Sequence, residues 1–254
     1  PNISNMFYAE LIERLEDELF KQGYKTIICN SEHDPNKEKE YLEMLAANQC
    51  DGIISSSHNL GIEDYEKVEA PIVAFDRNLA PKIPIVSSDN FEGGKLAARA
   101  MVKAGCQRIV MITGYDNSDS PTGLRQLGFN YELDKKGIIC PVPNDLSLMR
   151  RELEIKSIIS REKPDGIFVS DDLTAILVMK IARQLGLSIP DDLKIIGYDG
   201  TAFIRHFYPE LATIQQPLDE IAKLCVEILL KKIKGKTVNR DYVLPVSLIA
   251  GGSI

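Results

Sequence analysis

The chain has 254 residues, a formal net charge of −7 and a pI near 5.2, with 44% hydrophobic and 26% charged residues. That length supports one large or two medium α/β units with real cores, and the composition is that of a soluble globular protein. The acidic balance excludes an overall electrostatic footprint for nucleic acid or anionic membrane, and no apolar run approaches the roughly 20 residues that span a bilayer.

A helix is expected first: Leu11, Ile12, Leu15 and Leu19 share a face behind a cap at Ser4 or Asn5. A strand follows at residues 26–29, then a helix within residues 35–48 that carries Tyr41, Leu42 and Leu45. Strands are expected at 52–54, 71–75 and 83–86, after which Gly93-Gly94 opens a helix. Further strands are expected at 108–113 and 166–169. Asp171 or Asp172 then opens a helix with Leu173, Ile176, Leu177, Ile181 and Leu185 on its apolar face. The last strand is expected at 193–198, and the last helix, with Ile221, Leu224, Cys225, Ile228 and Leu229, ends near Gly235. The strand runs are rich in Ile and Val and lack polar alternation, as parallel strands covered on both faces do. Alternation of strand and helix predicts a doubly wound α/β architecture.

In open parallel sheets, ligands sit outside the carboxyl ends of the strands. Those ends carry Asp76 and Arg77; Ser87 to Asn90; the polar stretch GYDNSDSPTG followed by Arg125; Ser170, Asp171 and Asp172; and Asp199. Phe7, Tyr8 and Phe168 supply aromatic faces. The mixture suits a carbohydrate. Ionised carboxylates accept from hydroxyl pairs, the arginine fork donates to ring and hydroxyl oxygens, and aromatic rings cover the apolar face of a sugar. Each residue also has a plainer role. Asp89, Asp171 and Asp172 suit helix caps, Asp76-Arg77 a surface pair, Phe168 the core and Asp199 a turn. Gly93-Gly94 lacks both phosphate-loop spacings.

No catalytic motif is present, and the adjacent pairs Asp171-Asp172 and Asp191-Asp192 do not make an acid–base couple, so no enzyme is expected. The histidines His33, His58 and His206 are scattered and no C-x-x-C occurs, so neither a metal site nor a cofactor is expected. Five widely spaced cysteines and an N-terminal stretch unlike a signal peptide point to a reducing, cytoplasmic setting.

The stretch IPDDLKIIGYDG (residues 189–200) resembles the I-P-x-D…G-(aromatic)-D signature of the LacI/GalR transcriptional regulators. AFDR, VSSDNFEGGKLAARAMVKAGCQRIVMITG, RQLGF, FVSDDLTA and LATIQQPLDEIAKLCVEILL fall in that family's order along nearly the whole chain. The resemblance implies a type I periplasmic-binding-protein-like α/β fold. Its two doubly wound parallel-sheet lobes close around one small molecule, with crossovers near Asp89, Pro217 and Asp241. The first lobe would comprise 1–88 and 218–240, the second 89–217 and 241–254. The implied ligand residues are Asn5, Phe7, Asp76, Arg77, Arg125, Phe168, Asp171, Asp199 and Gln216. The ligand would be a sugar effector, such as sucrose, ribose or a related sugar phosphate. Asp199 would bind sugar hydroxyls, with its flanking glycines leaving room for ligand. The family's usual Pro in the first segment is Met6 here. The resemblance also implies a homodimer, no membrane partner, and operator DNA contacted only through a helix-turn-helix that has no counterpart in these residues. The family's first strand likewise has no counterpart before Pro1. A sugar-binding protein of an ABC-type transporter is the alternative of the same fold.

Overall fold

In the computed structural model, the residues described are 2–32, 34–57, 62–114, 120–143 and 146–254. His33, His58 and residues 115–119 of the polar stretch lie outside them. In chain order the elements begin α1 (Met6–Lys21), α2 (Pro35–Ala46), β1 (Ile53–Ser55), α3 (Ile62–Glu66), β2 (Ile72–Phe75) and β3 (Ile85–Ser88). Then come α4 (Asn90–Lys103), β4 (Ile109–Thr113), α5 (Pro121–Glu132), β5 (Ile138–Pro141), α6 (Leu148–Glu162), β6 (Gly166–Val169) and α7 (Asp172–Gln184). The chain ends with β7 (Lys194–Asp199), α8 (Ala202–Phe207), β8 (Ala212–Gln215), α9 (Leu218–Ile233), β9 (Asp241–Leu244) and β10 (Ser247–Ile249). Among the described residues no helix is long and apolar enough to cross a membrane.

Two compact units form: Pro1–Ser88 with Pro217–Leu244, and Asp89–Gln216 with Pro245–Ile254. The first has a parallel sheet of order β1-β2-β3-β9. Phe7 and Leu11 of α1 join Ile221, Cys225 and Leu229 of α9 over Val73 and Phe75. Leu42 and Leu45 of α2 pack with Tyr65, Ile72 and Ala74. Consecutive residues of β2 thus feed different clusters, which is why the strand is apolar throughout.

The second unit has the order β10-β8-β7-β6-β4-β5, parallel except for β10 against β8. Met111, Phe168, Ile196 and Tyr198 pack with Ala97, Ala98 and Met101 of α4 and Phe129 of α5. Their neighbours Val110, Ile112, Ile167, Val169 and Ile195 pack with Ile155 and Ile158 of α6 and Val178 and Ala182 of α7. The parallel strands read 2-1-3-4-5 in order of synthesis, so the topological switch lies between β4 and β6. A crevice for ligand opens at such a switch.

Helices α4 and α5 touch backbone to backbone. A Cβ on Gly94 would lie 2.0 Å from the Arg125 carbonyl oxygen, and one on Gly128 would lie 1.9 Å from that of Phe91. A Cβ on Gly93 would meet the Tyr198 hydroxyl at 2.6 Å. The Gly93-Gly94 pair therefore serves close helix packing.

The fold departs from the sequence reading at residues 26–29, which form no strand. A parallel strand exists only through its ladder, and among the described residues β1 is paired only with β2. Ile27 and Ile28 consequently stand 63% and 55% exposed. A cavity of about 870 Å³ lies within the first unit, lined by these residues, β1 and the inner face of α1. The boundary expected at residue 241 also moves, because β9 pairs with β3 in the first unit and the chain leaves that unit after Leu244. Strands β5, β8, β9 and β10 went unread in the sequence. They are short, and β9 and β10 are largely exposed, without the apolar run that marks the others.

Candidate functional site

In the first unit, Asn5 caps α1, its Oδ1 accepting from the Phe7 N–H at 2.9 Å. Phe7 is buried, stacked on Phe75 with centroids 5.8 Å apart and edge-on to Tyr8. Its ring is therefore engaged in the core of this unit. Asp76 directly follows β2 with φ at 58°, in the left-handed region, and its N–H donates to the Val86 carbonyl at 2.9 Å. Arg77 turns back at once, its N–H donating to the Phe75 carbonyl at 2.7 Å. A non-glycine residue in that region costs about 1 kcal/mol or more and is held there by its surroundings. The strand end is thus built to turn Asp76 and Arg77 out of the sheet.

In the second unit, Arg125 sits in α5 and is only 6% exposed. Its Nε donates to Asn90 Oδ1 at 2.8 Å, and Nη1 donates to the Ser170 carbonyl at 2.7 Å. The guanidinium lies 3.6 Å from the centre of the Tyr198 ring, whose hydroxyl donates to the same Asn90 Oδ1 at 3.2 Å. The α4–α5 glycine contact sets this geometry, because it brings Asn90 on α4 and Arg125 on α5 together. Ser170 is the residue just past β6, so the arginine is tied to the strand end beside the topological switch.

Asp171 is the N-cap of α7, accepting from the Thr174 N–H at 2.8 Å and the Thr174 hydroxyl at 2.7 Å. A carboxylate has about four acceptor positions, so capping leaves room for further hydroxyls. Asp199 ends β7 with φ at 117°, and Gly200 follows at 62°. Gln216 grips Asp199 twice: its N–H donates to the Asp199 carbonyl at 3.0 Å and its Nε2 to Asp199 Oδ1 at 2.8 Å. Asp199 is thus more than a turn residue. Strain of about 1–3 kcal/mol is held against it by a buried glutamine.

Phe168 is fully buried, stacked on Phe129 at 5.8 Å. Its side chain belongs to the core under the sheet and has no surface for a ligand. The glycine before Asp199 also has another use. A Cβ on Gly197 would lie 2.2 Å from Asp172 Oδ1, so that space is filled by a carboxylate. Asp172 is 2% exposed, and its Oδ1 and Oδ2 accept from the Thr213 hydroxyl at 2.6 Å and the Gly200 N–H at 2.8 Å. Burial, and then the charge of Asp199, push this carboxyl well above the usual carboxylate range, against the pull of the Thr213 and Gly200 hydrogen bonds.

A family of periplasmic binding protein-like domains matches residues 98–254. A sucrose operon repressor of Streptococcus mutans is 64% identical across 100% of this chain and 79% of its own length. The chain belongs to the LacI family. Among solved structures, a periplasmic binding protein/LacI transcriptional regulator of Alkaliphilus metalliredigens, complexed with D-xylulofuranose, is 34% identical with a TM-score of 0.88. The alignment covers 100% of this chain and 97% of that one. A LacI family regulator of Enterococcus faecium with bound ribose is 26% identical with a TM-score of 0.85, covering 100% and 96%.

Within this LacI-family chain, sequence reasoning missed Asn90, Tyr198, Asp172 and Thr213 as supports of the strand ends. One signal was available. A glycine inside a buried apolar strand marks close approach of another group, and Gly197 has that place.

Proposed function

We propose that the chain is the effector-binding and dimerisation core of a LacI-type transcriptional repressor that senses a small sugar. The observation that carries this reading is the clustering of rigidly held charged groups at strand ends. Arg125 is fixed to the Ser170 carbonyl, Asp171 follows Ser170 directly, and Asp199 is held by Gln216. Carboxylates of this kind accept from vicinal hydroxyls, and a site built on them rejects an analogue lacking a hydroxyl. Asn5, Asp76 and Arg77 are the proposed contacts from the first unit. The likeness to regulators solved with ribose and D-xylulofuranose supports a sugar. The 64% identical sucrose operon repressor supports sucrose or one of its component sugars, and favours a regulator over a transporter protein. We assign no catalytic role, and operator contact to no residue of either unit, since the net charge of −7 opposes phosphate binding.

A thermal-shift screen of sucrose, fructose, ribose and their phosphates tests this reading. A ligand at 100 times its Kd adds about 2.7 kcal/mol of stability. Asp199→Ala is expected to weaken the hit by about 30- to 1,000-fold, or roughly 2–4 kcal/mol, because a hydroxyl pair loses its charged acceptor. Unchanged affinity by calorimetry would remove Asp199 from the contact set.

We further propose a homodimer. The exposed Leu148, Met149 and Leu153 on α6, at 63%, 74% and 62%, give it apolar surface to cover. Obligate dimers bury on the order of 2,000 Å² or more. Light scattering at micromolar concentration should return twice the 28.3 kDa chain mass, and a monomer mass would refute the dimer.

A further inference from the structure

Asp172 shares the end of α7 with Asp171 but serves a different purpose. The cap is made by Asp171, whereas the Asp172 side chain turns inward and is sealed from solvent. Its two oxygens bind two different elements: Oδ2 holds the Gly200 N–H, one residue past Asp199, and Oδ1 holds the Thr213 hydroxyl on β8. Thr213 is the register partner of Gly197 on β7, so the carboxylate bridges both strands just below their carboxyl ends. Gly197 leaves the gap that the carboxylate fills. Only a residue without a Cβ there lets an α7 side chain reach the turn.

That turn is the strained one. Asp199 and Gly200 both have positive φ, and Gln216 holds Asp199 from one side. The Asp172–Gly200 bond holds the following peptide from the other. We infer that Asp172 is a positioning residue for the proposed sugar contact: it anchors the Gly200 amide and so fixes how the Asp199 carboxylate is presented, without itself touching the ligand. The inference rests on the sugar-binding reading above. The charged groups facing Asp172 are Asp199 on β7 and Asp171 on its own helix, both of the same sign. A neutral side chain of equal shape keeps the anchor beside these charges, whereas an alanine removes it.

The test compares wild type, Asp172→Asn and Asp172→Ala by amide hydrogen exchange and by calorimetry with sucrose, D-fructose and D-ribose. In Asp172→Asn the side-chain oxygen still accepts from Gly200 and the amide donates to Thr213. Gly200 protection and sugar affinity should then stay within about 3-fold of wild type. In Asp172→Ala the Gly200 amide should exchange at least about 10-fold faster and affinity should fall at least about 10-fold, while the Ile196 amide in the β7 core keeps its protection. Should the alanine variant fail to fold, an asparagine variant that loses Gly200 protection and affinity counts against the proposal just as firmly. Equal Gly200 exchange in wild type and Asp172→Ala overturns it, as does a released Gly200 with undiminished affinity. If wild type binds none of these sugars or their phosphates, the sugar reading fails instead, and Gly200 exchange still judges the anchor.

Discussion

Gly128→Ala is expected to unfold the second unit or to cost it more than about 3 kcal/mol. Helix propensity predicts the opposite sign, since alanine is about 1 kcal/mol better than glycine inside a helix. The contact decides. The added methyl would sit 1.9 Å from the Phe91 carbonyl oxygen, and backbone has no rotamer to escape into. Relief requires α4 and α5 to part by about 1 Å along a shared face, which loosens the packing of Phe129 and Met101 beneath them. Gly94→Ala should behave alike, with its methyl 2.0 Å from the Arg125 carbonyl oxygen. Gly252→Ala is the control, with nothing within 4 Å of the new carbon, and should stay within about 0.5 kcal/mol of wild type. Urea unfolding followed by circular dichroism gives all three. A stabilised Gly128→Ala would mean that propensity outweighs contact and that the helices sit further apart.

Arg125→Ala is expected to cost about 2–4 kcal/mol of stability and to abolish sugar binding. Removing the guanidinium takes the donor away from buried neutral partners. Asn90 Oδ1 loses its strongest donor, the Ser170 carbonyl loses its charge-assisted bond, and the Tyr198 ring loses its cation. A plain surface arginine would leave stability untouched, so a melting curve beside a titration separates the roles. Asp199→Ala, partly exposed at a strand end, should by contrast lose affinity with a smaller stability cost, about 1–2 kcal/mol, from the lost Gln216 Nε2 bond. If both variants melt like wild type, Arg125 is no strut.

The difference between those two residues also shows what could be read from the chain alone. Asp199 was legible because a buried strand ends there, and strand ends in parallel sheets are where ligands are met. The strands themselves were legible because residues such as Val110 and Met111 point to opposite faces and are both covered. Arg125 was legible as the arginine after the loop that follows a strand, and the resemblance implied it as a ligand residue, but its burial was not foreseen, since nothing local marks an arginine as a strut. Asp171 and Asp172 could not be told apart: adjacent carboxylates look alike until Thr213 and Gly197, both distant in sequence, claim one of them. Residues 26–29 misled for the reverse reason. Their apolar run is a strand's, but a run does not supply the neighbour that makes a ladder.

The pairing of β9 with β3 bears on how the protein is born. Ile85 meets Asp241 in register, so the first sheet needs residues made roughly 150 positions later, a delay of about 8–30 s at ribosomal rates of about 5–20 residues per second. The stretch Asp89–Gln216, which holds β4 to β8, leaves the ribosome meanwhile and can condense without waiting for its neighbour. Both units close only with the chain's last segment, since β10 pairs with β8, but the second has all five of its parallel strands by Gln216 while the first still lacks one of its four. Through that interval the β3 edge stands open beside apolar β2, with Pro217–Leu244 still unmade or in transit. An unpaired parallel edge invites pairing with another chain. In a crowded cell, the hazard for this protein falls in that window on its first-made half.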